Sequence, residues 1–114
     1  MVKRLHPGPR FCKAVVANGI VTTAGITAAD TSGDTAAQTA DILAQIDGLL
    51  AEAGSSKSNL LTASIWLRDI SHFSQMNAVW DKWVDMDNLP VRATVEARLA
   101  APELLVEIQV TATA

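Results

Sequence analysis

Val91-Arg92-Ala93-Thr94-Val95-Glu96-Ala97-Arg98 is followed, after a break at residues 99–103 that holds Pro102, by Leu104-Leu105-Val106-Glu107-Ile108-Gln109-Val110-Thr111. In both runs apolar and polar residues alternate with the two-residue period of a β-strand, so each predicts a strand with one apolar and one polar face. The expected pairing is an antiparallel hairpin. Its register is restricted by the pattern, because a slip of one residue sets an apolar face beside a polar one. With Ala93 opposite Ile108 and Val95 opposite Val106, Thr94 lies opposite Glu107 and Arg92 becomes its diagonal neighbour, within reach of long side chains. The expected product is a guanidinium, a hydroxyl and a carboxylate on one sheet face.

Outward from this pair of strands, the rest of the chain alternates helices with strands. Ser71 is placed to cap a helix whose apolar stripe is Phe73, Met76, Val79, Trp80, Trp83 and Val84, and which ends at the loop 85–89 and Pro90. Leu60 to Leu67 reads as a strand whose two faces differ little in polarity, as suits a covered central position. Before it, Thr35-x-x-Gln38 has the form of a capping box, and Ile42, Ile46, Leu49, Leu50 and Ala53 recur at helical spacing until Gly54. Residues 25–34 have loop composition. Ala14 to Ala17 and Ile20 to Ala24 flank Asn18-Gly19, the dipeptide that best fits the two positive-φ positions of a type I′ hairpin turn. No repeat or linker interrupts the order, so a single domain over residues 1–114 is expected.

Composition narrows the partners. Nine Lys and Arg against 12 Asp and Glu give a net charge of -3, without the clustered basic surface that phosphate-backbone binding needs, so nucleic acid is not an expected partner. No apolar run approaches membrane-spanning length, and the first ten residues carry charge without an apolar segment behind them. The expected mature protein is the whole chain in the cytoplasm. Cys12 is the one cysteine, which suits a reducing compartment, and it reads more readily as a small packed residue than as a nucleophile. His6 and His72 supply no metal-ligand spacing, so no metal is expected. The alanine-rich strands and three tryptophans present more apolar surface than one layer of helices covers, and the tryptophans read as core or subunit contacts.

An arginine clamps a carboxylate through parallel N–H donors and stays charged at any working pH, while a glutamate can hold a water by accepting its hydrogen bond. Arg92, Thr94 and Glu107, with no nucleophile triad and no glycine-rich phosphate loop, suit a small anionic substrate attacked by a positioned water. The same three residues also read as an ordinary cross-strand salt bridge on a solvated face. Periodicity by itself names no reaction.

The segment Pro90-Val91-Arg92-Ala93-Thr94-Val95 and its spacing to Leu105-Val106-Glu107-Ile108 resembles the C-terminal signature of the Rid family, the RidA/YjgF-like reactive intermediate deaminases. Arg and Glu stand fifteen residues apart in the family, as Arg92 and Glu107 do here. Asn18-Gly19 with Thr23-Ala24-Gly25, Ala44-Gln45-Ile46-Asp47 with Gly54-Ser55, and Phe73 through Met76-Asn77-Ala78-Val79-Trp80 fall in the same register, so the resemblance covers most of the chain. Arg10-Phe11, before the first strand, is similar to the YoaB-like branch. The resemblance implies an α+β fold of chorismate-mutase-like type, a mixed β-sheet backed by two α-helices, assembled as a homotrimer with clefts between subunits. It also implies hydrolytic deamination of reactive 2-imino or enamine acids of the 2-aminoacrylate class to 2-keto acids and ammonia, with no cofactor.

Carried over by position, Arg92 binds the substrate carboxylate and Glu107 positions the attacking water, while Asn77, Thr94, Arg10 and Ala24 line the cleft. Deaminating members often have a Tyr where this chain has Arg10-Phe11, a Ser where it has Ala24 and a Cys where it has Thr94. These departures imply a shifted substrate range or weak activity. A non-catalytic protein that binds small carboxylate metabolites in the same clefts is the alternative, and an RNA-directed activity is disfavoured by the negative net charge.

Overall fold

The computed structural model describes residues 1–114. Its elements in chain order are β1 (Lys3–Pro7), β2 (Cys12–Ala17), β3 (Ile20–Thr23), β4 (Ile26–Thr27), α1 (Thr35–Glu52), β5 (Leu60–Leu67), α2 (Phe73–Trp83), β6 (Val91–Glu96) and β7 (Val106–Thr113). All seven strands form one sheet in the order β1-β2-β3-β7-β5-β6, with the short β4 paired to β7. Only β5 and β6 run parallel, joined by the α2 crossover. This is the mixed sheet backed by two helices that the family resemblance implies. No helix is long and apolar enough to cross a membrane.

Local signals explain the boundaries. Asn18 and Gly19 take φ of 51° and 74° between β2 and β3, the turn that the dipeptide predicts. Helix α1 starts one residue earlier than the expected box: Asp34 is its cap, accepting from the Ala37 amide at 2.9 Å. Thr35 and Gln38 are buried instead. Thr35 Oγ1 lies 2.9 Å from His72 Nδ1, and the Gln38 carboxamide donates to Glu103 O and accepts from the Leu105 amide, tying the start of β7 to α1. Ser71 does not cap α2; Asp69 accepts from the Ser71 amide and closes a 3-10 turn before the helix. In each place a carboxylate outcompetes the neighbouring hydroxyl as acceptor for free amides at a helix start.

The core lies between the helices and one sheet face. Ile42, Ile46 and Leu50 of α1 and Met76 and Trp80 of α2 pack with Ala63, Ile65 and Leu67 of β5 and Val106, Ile108, Val110 and Ala112 of β7. Trp83 half-buries beside Trp80, ring centroids 5.5 Å apart, and donates its Nε1–H to Asp47 at 3.0 Å.

The expected β6–β7 hairpin does not form. β5 lies between the two strands, parallel to β6 and antiparallel to β7. Alternation reports which residues share a face; it does not report which strand is the neighbour, and the α2 crossover permits the parallel pairing. The facing of β6 is also reversed. Arg92 and Thr94 turn toward the helices, while Val91 and Val95 on the other face are 69% and 50% exposed. As an edge strand, β6 leaves its apolar face uncovered within one chain.

Candidate functional site

The register decides where each chemical group points. Ala63 pairs with Arg92 and Ile65 with Thr94 on one side of β5, and Ile65 pairs with Ile108 and Trp66 with Glu107 on the other. Side chains in one row share a face, so Arg92 and Thr94 belong with Ile65 and Ile108 on the helix side. Glu107 belongs with Trp66 on the uncovered side. Within one chain the guanidinium and the carboxylate stand on opposite faces of the sheet, which corrects the expected diagonal pair.

Arg92 is half-buried where β6 passes under α2. Its guanidinium carbon lies 5.6 Å from the Phe73 ring centroid and 5.2 Å from that of Trp80, and Nη1 is 3.9 Å from Met76 Sδ. Aromatic faces attract the cation without consuming its in-plane N–H donors. No carboxylate lies within salt-bridge distance of it. Burial pulls the Arg92 pKa below the ordinary guanidinium value, and Asp81 opposes this; the group still remains a cation at neutral pH. With Asn77, Trp80, Asp81 and Pro90, Arg92 lines a cavity of about 310 Å³. Asn77 is therefore brought to the arginine, from the third residue before Trp80 on α2. Thr94 is not among the lining residues; its Oγ1 is buried and without a hydrogen-bond partner.

Glu107 faces a second, larger cavity of about 680 Å³ on the uncovered side, lined also by Arg4, Arg10, Cys12, Ala24 and Gly25. Thus Arg10 and Ala24 gather with Glu107, and Asn77 with Arg92. The carboxylate rests against Gly25, where a Cβ would stand 2.9 Å from Glu107 Cδ and closer still to Oε2. The chain there is held by Thr23, whose Oγ1 donates to Ala24 O at 2.8 Å and accepts from the Val110 amide at 3.1 Å. The Ala24 amide donates to Lys13 O and the Gln109 carboxamide to Thr23 O. These bonds fix the end of β3 beside the middle of β7. Gly25, Thr23, Arg4, Phe73 and Trp80 are site residues that sequence reading did not assign. For Gly25, its place in Thr23-Ala24-Gly25 was the available signal, whereas the apposition to Glu107 joins positions far apart in the chain.

The family model described as Endoribonuclease L-PSP matches residues 1–114. A RutC family protein of Haemophilus influenzae is 43% identical over 113 residues, covering 98% of this chain and 97% of the relative. The RutC family protein YoaB of Escherichia coli is 39% identical over 111 residues, covering 97% and 96%. The crystal structure of a YjgF family member from Neisseria meningitidis superimposes with a TM-score of 0.95 at 49% identity, covering 99% of this chain and 94% of that one.

Proposed function

The chain belongs to the Rid family, whose members also carry the names YjgF, RutC and endoribonuclease L-PSP, and on that premise we propose that it hydrolyses reactive 2-imino acids to 2-keto acids and ammonia. The observation that carries this reading is the state of Arg92: a cation stacked on two rings at the wall of a cavity, with no protein carboxylate paired to it. Such a group is preorganised for a small carboxylate ligand.

In this reaction Arg92 holds the substrate carboxylate and Asn77 borders the same space. Glu107 accepts a hydrogen bond from water and aims its oxygen at C2 of the imine. The water oxygen bonds to C2 as the C=N π electrons move to nitrogen, which takes a proton, while Glu107 receives one from the attacking water. Glu107 then passes its proton to the carbinolamine nitrogen, the C–N bond breaks to release ammonia, and the hydroxyl gives its remaining proton to solvent as the carbonyl forms, replacing the proton that nitrogen took from solvent in the first step. Imines hydrolyse slowly in water unaided, so orientation and a held water supply an acceleration of the required kind.

One chain cannot place both groups on one substrate, because they face opposite sides of the sheet. The reaction therefore requires the Arg92 half-site of one subunit to meet the Glu107 half-site of another. A homotrimer, closed by rotation, satisfies this with three equivalent sites. The exposed Phe11, Val91 and Val95 support burial of the uncovered face by a second copy.

The test is keto-acid release from 2-imino acids generated in situ by an amino-acid oxidase, with semicarbazide competing for the imine. Acceleration by the wild type and its loss in Arg92→Ala is the expected result. Tight binding of keto acids without acceleration for small, acidic, basic or apolar imines would replace hydrolysis with a carrier or sensor role. Ala24, which puts a methyl where a hydroxyl stands in many relatives, is the first position to restore in that case.

A further inference from the structure

The cavity around Glu107 contains two cations that the proposed hydrolysis leaves without a task. Arg4 lies on β1 opposite Val15 of β2, and Val15 is opposite Thr22 of β3, which is opposite Thr111 of β7. That row places Arg4 on the same face as Glu107. Arg10 reaches the same space from the segment between β1 and β2. Neither guanidinium makes a side-chain hydrogen bond or lies within 4.0 Å of a carboxylate. In a chain of net charge -3, two free arginines beside one glutamate make this cavity locally cationic.

We propose that Arg4 and Arg10 bind a second carboxylate at the far end of the ligand, so that the site prefers dicarboxylic 2-imino and 2-keto acids. The inference rests on the reading that Arg92 takes the carboxylate next to the reacting carbon. A three-carbon imino acid held by Arg92 offers Arg4 and Arg10 no second carboxylate, whereas a longer diacid carries one at its far end that can reach them beside Glu107. Planar guanidinium forks match a carboxylate through two parallel N–H···O bonds. A single negative charge is also the better complement than a phosphate, since Glu107 repels a doubly charged group more strongly.

Calorimetric titration of the full chain with 2-oxoglutarate and with 2-oxopentanoate, ligands of equal length that differ in the terminal carboxylate, isolates this preference. The wild type is expected to bind 2-oxoglutarate about tenfold tighter. The ratio of the two Kd values should fall in Arg4→Gln and in Arg10→Gln and approach one in the double variant. Both side chains are exposed and make no bonds, so the fold is retained, as circular dichroism would verify. Equal affinities in the wild type, a preference that survives the double variant, or binding of neither ligand each overturns the proposal. Imine hydrolysis is scored separately. Acceleration without a diacid preference sinks only the second-carboxylate site, and a diacid preference without acceleration sinks only the hydrolase.

Discussion

Gly25 controls the position of Glu107 by having no side chain. An added Cβ would come closer than 3.0 Å only to Oε2 and Cδ at the end of the glutamate, which can swing away, so Gly25→Ala costs little stability. It displaces the carboxylate, however, and a misplacement of about 1 Å at a reacting group costs up to about a hundredfold in rate. The expected outcome is a kcat lowered about 10- to 100-fold with a thermal midpoint near wild type, measured by the keto-acid assay and calorimetric melting. Phe73 acts on the other half-site. It is 38% exposed, so Phe73→Leu spares the core but removes one of the two rings that hold Arg92. A cation–π contact of about 1 kcal/mol corresponds to roughly fivefold weaker keto-acid binding, read as KM or Kd with kcat less affected. Residue identity alone made the Asn18-Gly19 turn legible, and the family resemblance singled out Arg92 and Glu107, which the fold places at two different cavities. The Gly25–Glu107 apposition and the rings around Arg92 were not legible, because each joins residues that only the tertiary fold makes neighbours.

Elements were legible where the period was clean. Leu60–Leu67 and the two helices occupy the expected residues to within a turn, and Asn18-Gly19 ends one strand and begins another. The β6–β7 pairing was not legible, since two amphipathic strands close in sequence suit a hairpin equally well when a third strand lies between them. Separating them is the β5–α2–β6 crossover, and this is what sends Arg92 and Glu107 to opposite faces. The capping-box spacing of Thr35 and Gln38 points to a helix start, but Asp34 caps the helix and Gln38 anchors β7 instead. Gln38 is fully buried, its carboxamide bonded to Glu103 O at 2.9 Å and to the Leu105 amide at 3.0 Å. Gln38→Leu leaves both backbone groups unsatisfied and should destabilise the protein by about 1–3 kcal/mol in urea unfolding. Because the residues between 103 and 105 lead directly into the strand that carries Glu107, the variant should lose hydrolysis at temperatures below its unfolding transition.

At the scale of the whole molecule, the two half-sites yield a prediction that no single-chain site shares. In the proposed homotrimer Arg92→Ala and Glu107→Gln each leave one half-site intact, and each variant should be inactive. If the variants are unfolded together in equal amounts and refolded, subunits assort at random. A cleft is whole when the subunit that contributes arginine carries only the glutamate change and its neighbour carries only the arginine change. Each condition holds for half of the subunits, so about a quarter of the clefts should be complete and about a quarter of wild-type activity should return. Mixing the folded variants without exchange should return none. A site built within one chain would remain dead under both regimes, because every chain then carries a lesion in its own site. Recovery after co-refolding would therefore establish that substrate is held between the helix-side cavity of one subunit and the uncovered sheet face of the next. The same mixed preparation, assayed with Arg10→Gln added to one parent at a time, would identify the contributor of the second-carboxylate contact: diacid preference should fall only when that change rides on the chain that supplies Glu107.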